Sequence, residues 1–282
     1  GSGNDYLSGG SNEADTYVFA KGHGQDTVSD YGTDEKHTDT LKFEGAKFDD
    51  AVFTRINNDL IIKAYGEADA VSVSQYFGSY TSRYVQFAFD DKTVKFADVA
   101  MNITGTDKDD SLYGWSTVDT VSGGAGNDII YTGSGNDILL GGEGNDRLYG
   151  ENDSDVLDGG SGDDELNGGS GSDTLTGGSG NDYLSGGSNE ADTYVFAEGH
   201  GQDTVSDSGY SDIHIDTLIF EDALLENAVF SREGSNLLVQ AYGSEDKVSV
   251  QNYFSGSSYR YNQFVFEDAT VKVDAAMNVS VI

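Results

Sequence analysis

An aliphatic residue recurs every nine positions between Gly123 and Ser185, and the residues between these positions are mostly small or polar. A period of nine fits neither the α-helical repeat nor the alternation of a long strand. Each unit predicts six turn-forming residues followed by a three-residue strand with the aliphatic side chain at position eight. Because one unit makes half a coil, two units are expected per coil. The seven aliphatic residues are Ile130, Leu139, Leu148, Leu157, Leu166, Leu175 and Leu184.

Aspartate occupies position six of the same units, and two looser units that start at Gly105 and Gly114 extend the series. Glycines at positions one, two and four permit positive φ and close backbone approach, so their carbonyl oxygens can face a ligand shared with the carboxylate. The predicted aspartate ligands are Asp110, Asp119, Asp128, Asp137, Asp146, Asp155, Asp164, Asp173 and Asp182. The predicted backbone ligands are Gly124, Gly126, Gly133, Gly135, Gly142, Gly144, Gly160, Gly162, Gly169, Gly171, Gly178 and Gly180.

A ligand set made only of oxygen indicates a hard cation. Flexible loops that offer six to eight oxygens suit Ca²⁺ better than Mg²⁺, which requires strict octahedral geometry. The stacked turns are therefore predicted to bind Ca²⁺. A Gly- and Asp-rich disordered linker is the alternative on composition. The strict phase of the aliphatic position argues against it when calcium is present, and we expect disorder without calcium.

The unit Gly-Gly-x-Gly-x-Asp-x-aliphatic-x resembles the haemolysin-type calcium-binding nonapeptide of the repeats-in-toxin (RTX) family. This resemblance implies an all-β fold, a parallel β-roll (a β-helix solenoid) that contains calcium. It also implies a secreted, extracellular or cell-surface protein, exported by a type I secretion apparatus that reads a C-terminal signal.

A longer repeat covers the segments on both sides of the nonapeptides. Residues from Gly1 match those from Gly178 almost identically at first and then more loosely. We expect a fragment that begins within a repeat. The predicted division is 1–30 as the end of a preceding roll, 31–102 as a β-rich capping segment, 103–207 as a complete roll and 208–282 as a second capping segment. Further aspartates at the roll ends are also candidate calcium ligands: Asp5, Asp15, Asp26, Asp192 and Asp203. His23 and His200, at a variable position of these end turns, are expected at the surface without chemistry.

Both capping segments show the alternation of strands and resemble the haemolysin-type calcium-binding-related segment. The end of a solenoid exposes unpaired strand edges and apolar side chains, so an additional structure must close it. We therefore interpret these segments as β-rich caps.

The two faces of the roll are predicted to differ. Units that alternate along the chain place their turns on opposite sides, and on the second side Glu151 and Asp153 replace glycines of the unit that starts at Gly150. We expect fuller calcium occupancy on the first side, where the glycines are kept. On the outer surface, Tyr113, Tyr131 and Tyr149 should stack, and Ile138, Leu140 and Val156 should form an apolar strip.

Charge and composition limit the classes of molecule that the chain could bind. Fifty acidic residues against 15 basic ones give a net charge of −35, which makes nucleic acid and anionic membranes poor partners. The chain has no cysteine for disulfides, so bound calcium is expected to stabilise the fold in their place. No apolar run reaches membrane-spanning length.

No catalytic constellation stands out, because paired carboxylates lose diagnostic value among so many calcium loops. We expect no enzyme activity. The leading hypothesis is a calcium-dependent folding and structural module of a large type I-secreted RTX protein, a toxin or adhesin. The alternatives are the C-terminal module of a secreted enzyme and a cell-surface or carbohydrate-binding module with a host-surface or glycan partner.

Overall fold

A computed structural model describes residues 1–10, 13–29, 37–56, 58–66, 68–76, 85–95, 99–187, 190–206, 215–255 and 262–282. These residues form two compact units, Gly1–Ile103 and Thr104–Ile282. Strands dominate both units, and the described residues also form short 3₁₀ turns at Phe48–Asp50 in the first unit and Leu225–Asn227 in the second. Within the described ranges, no helix has the length and apolar character that a membrane span requires.

The first unit forms two sheets, in each of which parallel strands are followed by antiparallel ones. The strands, including one at the division between the units, are β1 (Tyr6–Leu7), β2 (Thr16–Ala20), β3 (Gln25–Val28), β4 (Asp39–Glu44), β5 (Val52–Ile56), β6 (Asp59–Lys63), β7 (Ala70–Val73), β8 (Val85–Ala88), β9 (Thr93–Lys95) and β10 (Asn102–Thr104). One sheet has the order β1-β3-β7-β6-β5 and the other β2-β4-β8-β9.

The second unit contains the nonapeptides and the segment that follows them. Its strands are β11 (Ser111–Tyr113), β12 (Thr120–Ala125), β13 (Ile129–Ser134), β14 (Ile138–Glu143), β15 (Arg147–Asn152), β16 (Val156–Ser161), β17 (Glu165–Ser170), β18 (Thr174–Ser179), β19 (Tyr183–Gly187), β20 (Thr193–Phe196), β21 (Gln202–Val205), β22 (Asp216–Phe220), β23 (Val229–Glu233), β24 (Asn236–Gln240), β25 (Lys247–Val250), β26 (Asn262–Val265), β27 (Thr270–Val273) and β28 (Val279–Val281).

Successive strands of the nonapeptide region alternate between two parallel sheets. One sheet has the order β10-β12-β14-β16-β18-β20-β22-β26-β27-β28, and the other β11-β13-β15-β17-β19-β21-β25-β24-β23. Leu139 pairs with Leu157 in the first sheet and Ile130 with Leu148 in the second, so each coil uses two nonapeptides. The predicted all-β parallel β-roll is therefore confirmed.

The core of the roll is a double row of the position-eight side chains. All seven, from Ile130 to Leu184, are fully buried. Each nine-residue unit buries only one aliphatic side chain. The free energy gained from this burial is small compared with the conformational entropy cost of ordering nine residues. Packing between the two sheets therefore cannot be the main source of stability in this region.

The segment after the nonapeptides continues both sheets before closing them. Strands β22 and β26 add to one sheet and β25 to the other, all in parallel orientation, and antiparallel strands then complete the edges. Large aromatic side chains replace the aliphatic rows here: the Phe196 and Phe220 rings stack at 5.4 Å, and Phe220 stacks on Phe266 at 5.2 Å. The first unit repeats this packing with Phe19, Phe43 and Phe89. The four-part division from the sequence stays a prediction.

The outer surface of the roll carries the two features expected from its position-seven and position-nine residues. The rings of Tyr113 and Tyr131 stack at 5.7 Å, and those of Tyr131 and Tyr149 at 4.7 Å. On the other sheet, Ile138, Leu140 and Val156 are 40%, 38% and 45% exposed, which makes an apolar strip.

Candidate metal centre

Position-six aspartates form two columns, one at each side of the roll where the chain turns between the sheets. Nearly all of them are buried, although each belongs to a turn. The first column comprises Asp110, Asp128, Asp146, Asp164, Asp182 and Asp203, and the second comprises Asp119, Asp137, Asp155, Asp173, Asp192 and Asp216.

A hydrogen-bond ladder runs along each column. The backbone N–H of each aspartate donates to Oδ1 of the aspartate in the next coil, as from Asp128 to Asp146 and from Asp137 to Asp155, at 2.7 and 2.8 Å. The partners are 18 residues apart within the nonapeptides, and the separation grows to 24 between Asp192 and Asp216. The ladder therefore survives insertions, because the parallel strand register is kept on both sides of them.

The second carboxylate oxygen has a different environment. In several aspartates Oδ2 is buried and accepts no hydrogen bond from the described residues. A buried charged oxygen without a partner is costly, so the environment of such an atom fits the binding of a cation. These aspartates include Asp128, Asp146, Asp155, Asp164 and Asp182.

Burial also changes the acidity of these groups. Loss of hydration raises the pKa of Asp155 and Asp182 to about 7, although a backbone N–H to each carboxylate opposes the shift. The same cause raises the pKa of Asp137 and Asp164 to about 6. Without a cation, the fold therefore disfavours the ionised form of the side chains that would bind one.

Glycine at position one leaves room for two oxygens. A β-carbon at Gly141 would lie 2.4 Å from Asp146 Oδ2 and 2.5 Å from the carbonyl oxygen of Gly159 in the next coil. On the opposite side, a β-carbon at Gly150 would lie 2.3 Å from Asp155 Oδ2 and 2.7 Å from the Gly168 carbonyl oxygen. The position-one glycines have no positive φ, so this space, rather than the conformational freedom expected from the sequence, requires glycine there.

Glycines at positions two and four take the left-handed conformation. The twelve glycines predicted as backbone ligands have φ between 97° and 142°. Close stacking adds a second requirement, because a β-carbon at Gly142 would lie 2.1 Å from the carbonyl oxygen of Gly124. Glu151 and Asp153 keep the same backbone at φ of 74° and 72°, in a region that side chains disfavour. The irregular unit that starts at Gly150 therefore keeps the shape of the turn but has a strained backbone at these two residues.

The oxygen atoms that line these turns fit calcium. They combine buried carboxylates with carbonyls of the neighbouring coil, as Ca²⁺ sites do. Among the described residues, three or more His, Cys, Asp or Glu side chains do not gather at one point. A cation here would consequently need backbone oxygens in addition to Asp146 or Asp164. The individual ligand assignments remain predictions.

The aspartates of the first unit form ladders of the same kind. The N–H of Asp5 donates to Asp26 Oδ1, and the N–H of Asp15 donates to Asp39 Oδ1, both at 2.9 Å. Asp39 and its counterpart Asp216 were absent from the predicted set. Each precedes a buried leucine by two residues in the sequence Asp-Thr-Leu, which is the relation between positions six and eight.

The expectation that His23 and His200 lie at the surface is wrong. They are only 6% and 3% exposed. The Nδ1–H of His200 donates to Oδ2 of Asp203 at 2.6 Å, and its ring lies 5.2 Å from that of Phe196. The imidazole is buried because its turn is the last of the roll and faces the aromatic core of the following segment.

Comparisons with known proteins agree with this geometry. The model of the RTX calcium-binding nonapeptide repeat matches residues 102–130, 131–166 and 158–189, and that of the haemolysin-type calcium binding protein related domain matches residues 236–271. The fold and the oxygen-lined turns define a calcium-binding β-roll, and residues 102–189 are RTX calcium-binding nonapeptide repeats. A haemolysin-type calcium-binding-related domain follows them.

Among curated proteins, the chain is 46% identical over 279 residues to the iron-regulated protein FrpA of Neisseria meningitidis serogroup C. The alignment covers 91% of this chain and 25% of FrpA, so the chain spans a quarter of that relative. Two solved structures are also similar. The AlgE6R3 subunit of the Azotobacter vinelandii mannuronan C5-epimerase is 20% identical, with a TM-score of 0.28. The alignment covers 63% of this chain and 87% of the subunit. The extracellular lipase LipA of Serratia marcescens is 14% identical, covers 88% of this chain and 36% of its own, and gives a TM-score of 0.24.

Proposed function

We propose that this chain is a calcium-dependent folding and structural module of a larger secreted RTX protein, and that it has no catalytic activity of its own. The observation that carries the proposal is the buried Oδ2 of Asp146, Asp164 and Asp182, which has no hydrogen-bond partner among the described residues. For Asp146 and Asp164, the same space at a position-one glycine is also bordered by a carbonyl oxygen of the next coil. A bound calcium ion supplies the positive charge and the coordination that such oxygens need.

Calcium concentration would then decide whether the roll forms. Extracellular calcium modules bind with dissociation constants of about 10⁻⁴–10⁻³ M. In millimolar calcium, each site of this affinity adds on the order of 1 kcal/mol, and several adjacent sites rival the stability of a domain. In this proposal the nonapeptide roll stays unfolded inside the cell, passes through a type I secretion apparatus and folds outside. The parent protein is a toxin or adhesin, for which the segment repeated at an offset of 177 residues supplies a modular array.

A calcium titration of the whole chain tests this function. Far-ultraviolet circular dichroism should show β structure appear between micromolar and millimolar calcium, while calorimetry counts the ions bound. Magnesium at the same concentration is the matched control and should leave the spectrum of the chelator-treated chain unchanged. Equal β content with chelator and with calcium would contradict the proposal.

A carbohydrate-binding role is the second candidate. A shallow depression of about 650 Å³ is lined by Tyr113, Trp115, Tyr131 and Glu151, and aromatic side chains with a few polar groups are typical of ligand sites. Glycan-array binding that Trp115→Ala abolishes, while calcium-induced folding is unchanged, would support this role. A role as the C-terminal module of a secreted enzyme would be supported by a catalytic domain in the same polypeptide.

A further inference from the structure

The last turn of each roll holds its aspartate differently from the turns before it. In the Gly-His-Gly-Gln-Asp turn at residues 199–203, Oδ1 of Asp203 accepts from the N–H of Asp182 at 3.0 Å, as elsewhere in the first column. Its Oδ2 accepts from Nδ1–H of His200 at 2.6 Å, and these two side chains are 1% and 3% exposed. Both oxygens of Asp203 therefore have protein partners, whereas Oδ2 of Asp164 and of Asp182 has none among the described residues.

The glycine N–H groups of this turn are also satisfied in a different way. On the side of the roll that carries the first column, the position-four N–H donates to a carbonyl of the next coil, as Gly162 does to Ser179 at 2.9 Å. At the last turn, the N–H groups of Gly201 and Gly199 donate instead to the two oxygens of Asp246, at 3.0 and 2.9 Å. Asp246 is 7% exposed and directly precedes β25. One carboxylate thus takes the place of the missing next coil.

The first unit has the same arrangement. Nδ1 of His23 lies 2.9 Å from Oδ2 of Asp26, whose Oδ1 accepts from the N–H of Asp5. The N–H groups of Gly22 and Gly24 donate to the two oxygens of Asp69 at 2.8 and 3.0 Å. Two copies with the same partners show that the arrangement belongs to the turn sequence together with its distant aspartate.

We propose that these two turns close without calcium and mark the ends of the calcium columns. The imidazole of His200 supplies the partner that an ion supplies to the preceding carboxylates, and Asp246 supplies the acceptors that a further coil would provide. Asp203 and Asp26, both expected from the sequence to bind calcium, are then hydrogen-bond acceptors only. This inference rests on the proposed function, because it divides the roll into turns that need calcium and turns that do not.

A folding order follows for the second unit. The last coil packs on the aromatic core of Phe196, Phe220 and Phe266, which no ion has to hold together. Strands β20 and β21 consequently form a stable edge in the absence of calcium.

Hydrogen exchange of the full chain, measured by mass spectrometry with chelator and with calcium, tests this order. With chelator, peptides covering β20–β22 and β24–β26 should stay protected, while those covering β12–β19 should exchange as an unfolded chain; calcium should protect both. Exchange of β20–β22 as fast as that of β12–β19 in chelator would overturn the inference and leave the proposed function standing. Equal protection of β12–β19 with and without calcium would overturn both.

Calorimetry separates the two kinds of aspartate. Asp203→Asn should leave the number of bound calcium ions unchanged, because the amide oxygen still accepts from the N–H of Asp182. Asp164→Asn is the matched variant and should lower the number by at least one. If Asp203→Asn removes as many ions as Asp164→Asn, Asp203 is a calcium ligand and the inference is wrong.

His200 provides a final pair of variants. His200→Asn keeps a donor close to the position of Nδ1, whereas His200→Leu removes it. In chelator, β20–β22 should exchange about tenfold or more faster in the leucine variant than in the asparagine variant, as expected for loss of a buried hydrogen bond to a carboxylate. Equal rates would overturn the role of the imidazole. If the leucine variant fails to fold even in calcium, the ion count of Asp203→Asn still decides the question.

Discussion

The backbone N–H of Asp146 donates to Oδ1 of Asp164 across 2.7 Å, while Oδ2 of Asp164 is buried and has no hydrogen-bond partner among the described residues. One carboxylate therefore has two tasks. The first oxygen joins neighbouring coils, and the second is available to a cation. Substitutions that separate these tasks distinguish the shape of the coil from its ability to bind calcium.

Replacing Asp164 tests this division. Asp164→Asn keeps an acceptor for the Asp146 N–H and removes the charge, so it should weaken calcium binding while the coil still forms in excess calcium. Asp164→Ala also leaves the buried N–H of Asp146 unsatisfied, which should cost about 1–3 kcal/mol more in the free energy of unfolding. Calcium titration and urea unfolding in saturating calcium measure the two effects. Asp163→Asn is the control, because Oδ1 of the exposed Asp163 accepts from the backbone N–H and from Nδ2 of Asn181, and an amide oxygen can do the same. Equal losses in all three variants would contradict the division.

Glycine at position one should be needed for space. Gly141→Ala would place its β-carbon 2.4 Å from Asp146 Oδ2, so we expect the calcium concentration at the folding midpoint to rise severalfold. Gly243→Ala is a useful comparison, because Gly243 has φ of 109° and no atom near the position of a β-carbon. It should lower stability by about 1–2 kcal/mol through backbone strain and leave the ion count unchanged. A normal ion count and midpoint for Gly141→Ala would show that the space is not required.

The irregular unit offers a stabilising substitution. Glu151 has φ of 74°, and Glu151→Gly should raise the free energy of unfolding by about 1 kcal/mol in saturating calcium because glycine adopts this conformation without strain. Glu143→Gly removes the same charge at a residue without positive φ. It should instead destabilise by about 0.5–1 kcal/mol. Thermal unfolding of both variants would show opposite shifts, and a lower melting temperature for Glu151→Gly would exclude strain at this residue.

Stability without calcium should depend on pH in an unusual direction. The pKa values of Asp155 and Asp182 are raised by burial to about 7, from an ordinary value of 3.8. Any folded calcium-free roll thus holds protons that the unfolded chain has released. Its free energy of unfolding should be highest below about pH 4 and fall as the pH rises through 7.

Far-ultraviolet circular dichroism of calcium-depleted protein between pH 8 and pH 4 measures this trend as β structure gained towards low pH, and Asp155→Asn should flatten it. Calcium binding should show the reverse dependence, because the ion competes with the proton for the same carboxylates. The calcium concentration at the folding midpoint should therefore increase when the pH is lowered from 8 to 6. Calcium-free stability that increases between pH 4 and 7 would contradict the raised pKa values.

The regular part of the roll could be predicted because every position has one environment repeated many times. Leu139 and Leu157 lie on neighbouring strands of one sheet, and the position-nine tyrosines stack, since both follow from two units per coil. The ends resisted prediction because their partners are distant in sequence. His200 is buried through a core built from Phe196 and Tyr242, and the ladder reaches Asp216 across a longer connection. Neither relation has a fixed spacing that a repeat could reveal.

The eighteen-residue separation of hydrogen-bonded aspartates has a consequence for how such genes change. Deleting or duplicating a stretch of eighteen residues leaves each later aspartate at its original side, so the roll can shorten or lengthen by one rung of about 4.8 Å without redesign. A change of nine residues moves every later turn to the opposite side and exchanges the strands between the sheets. Recombination within the repeats should therefore be tolerated in even numbers of nonapeptides.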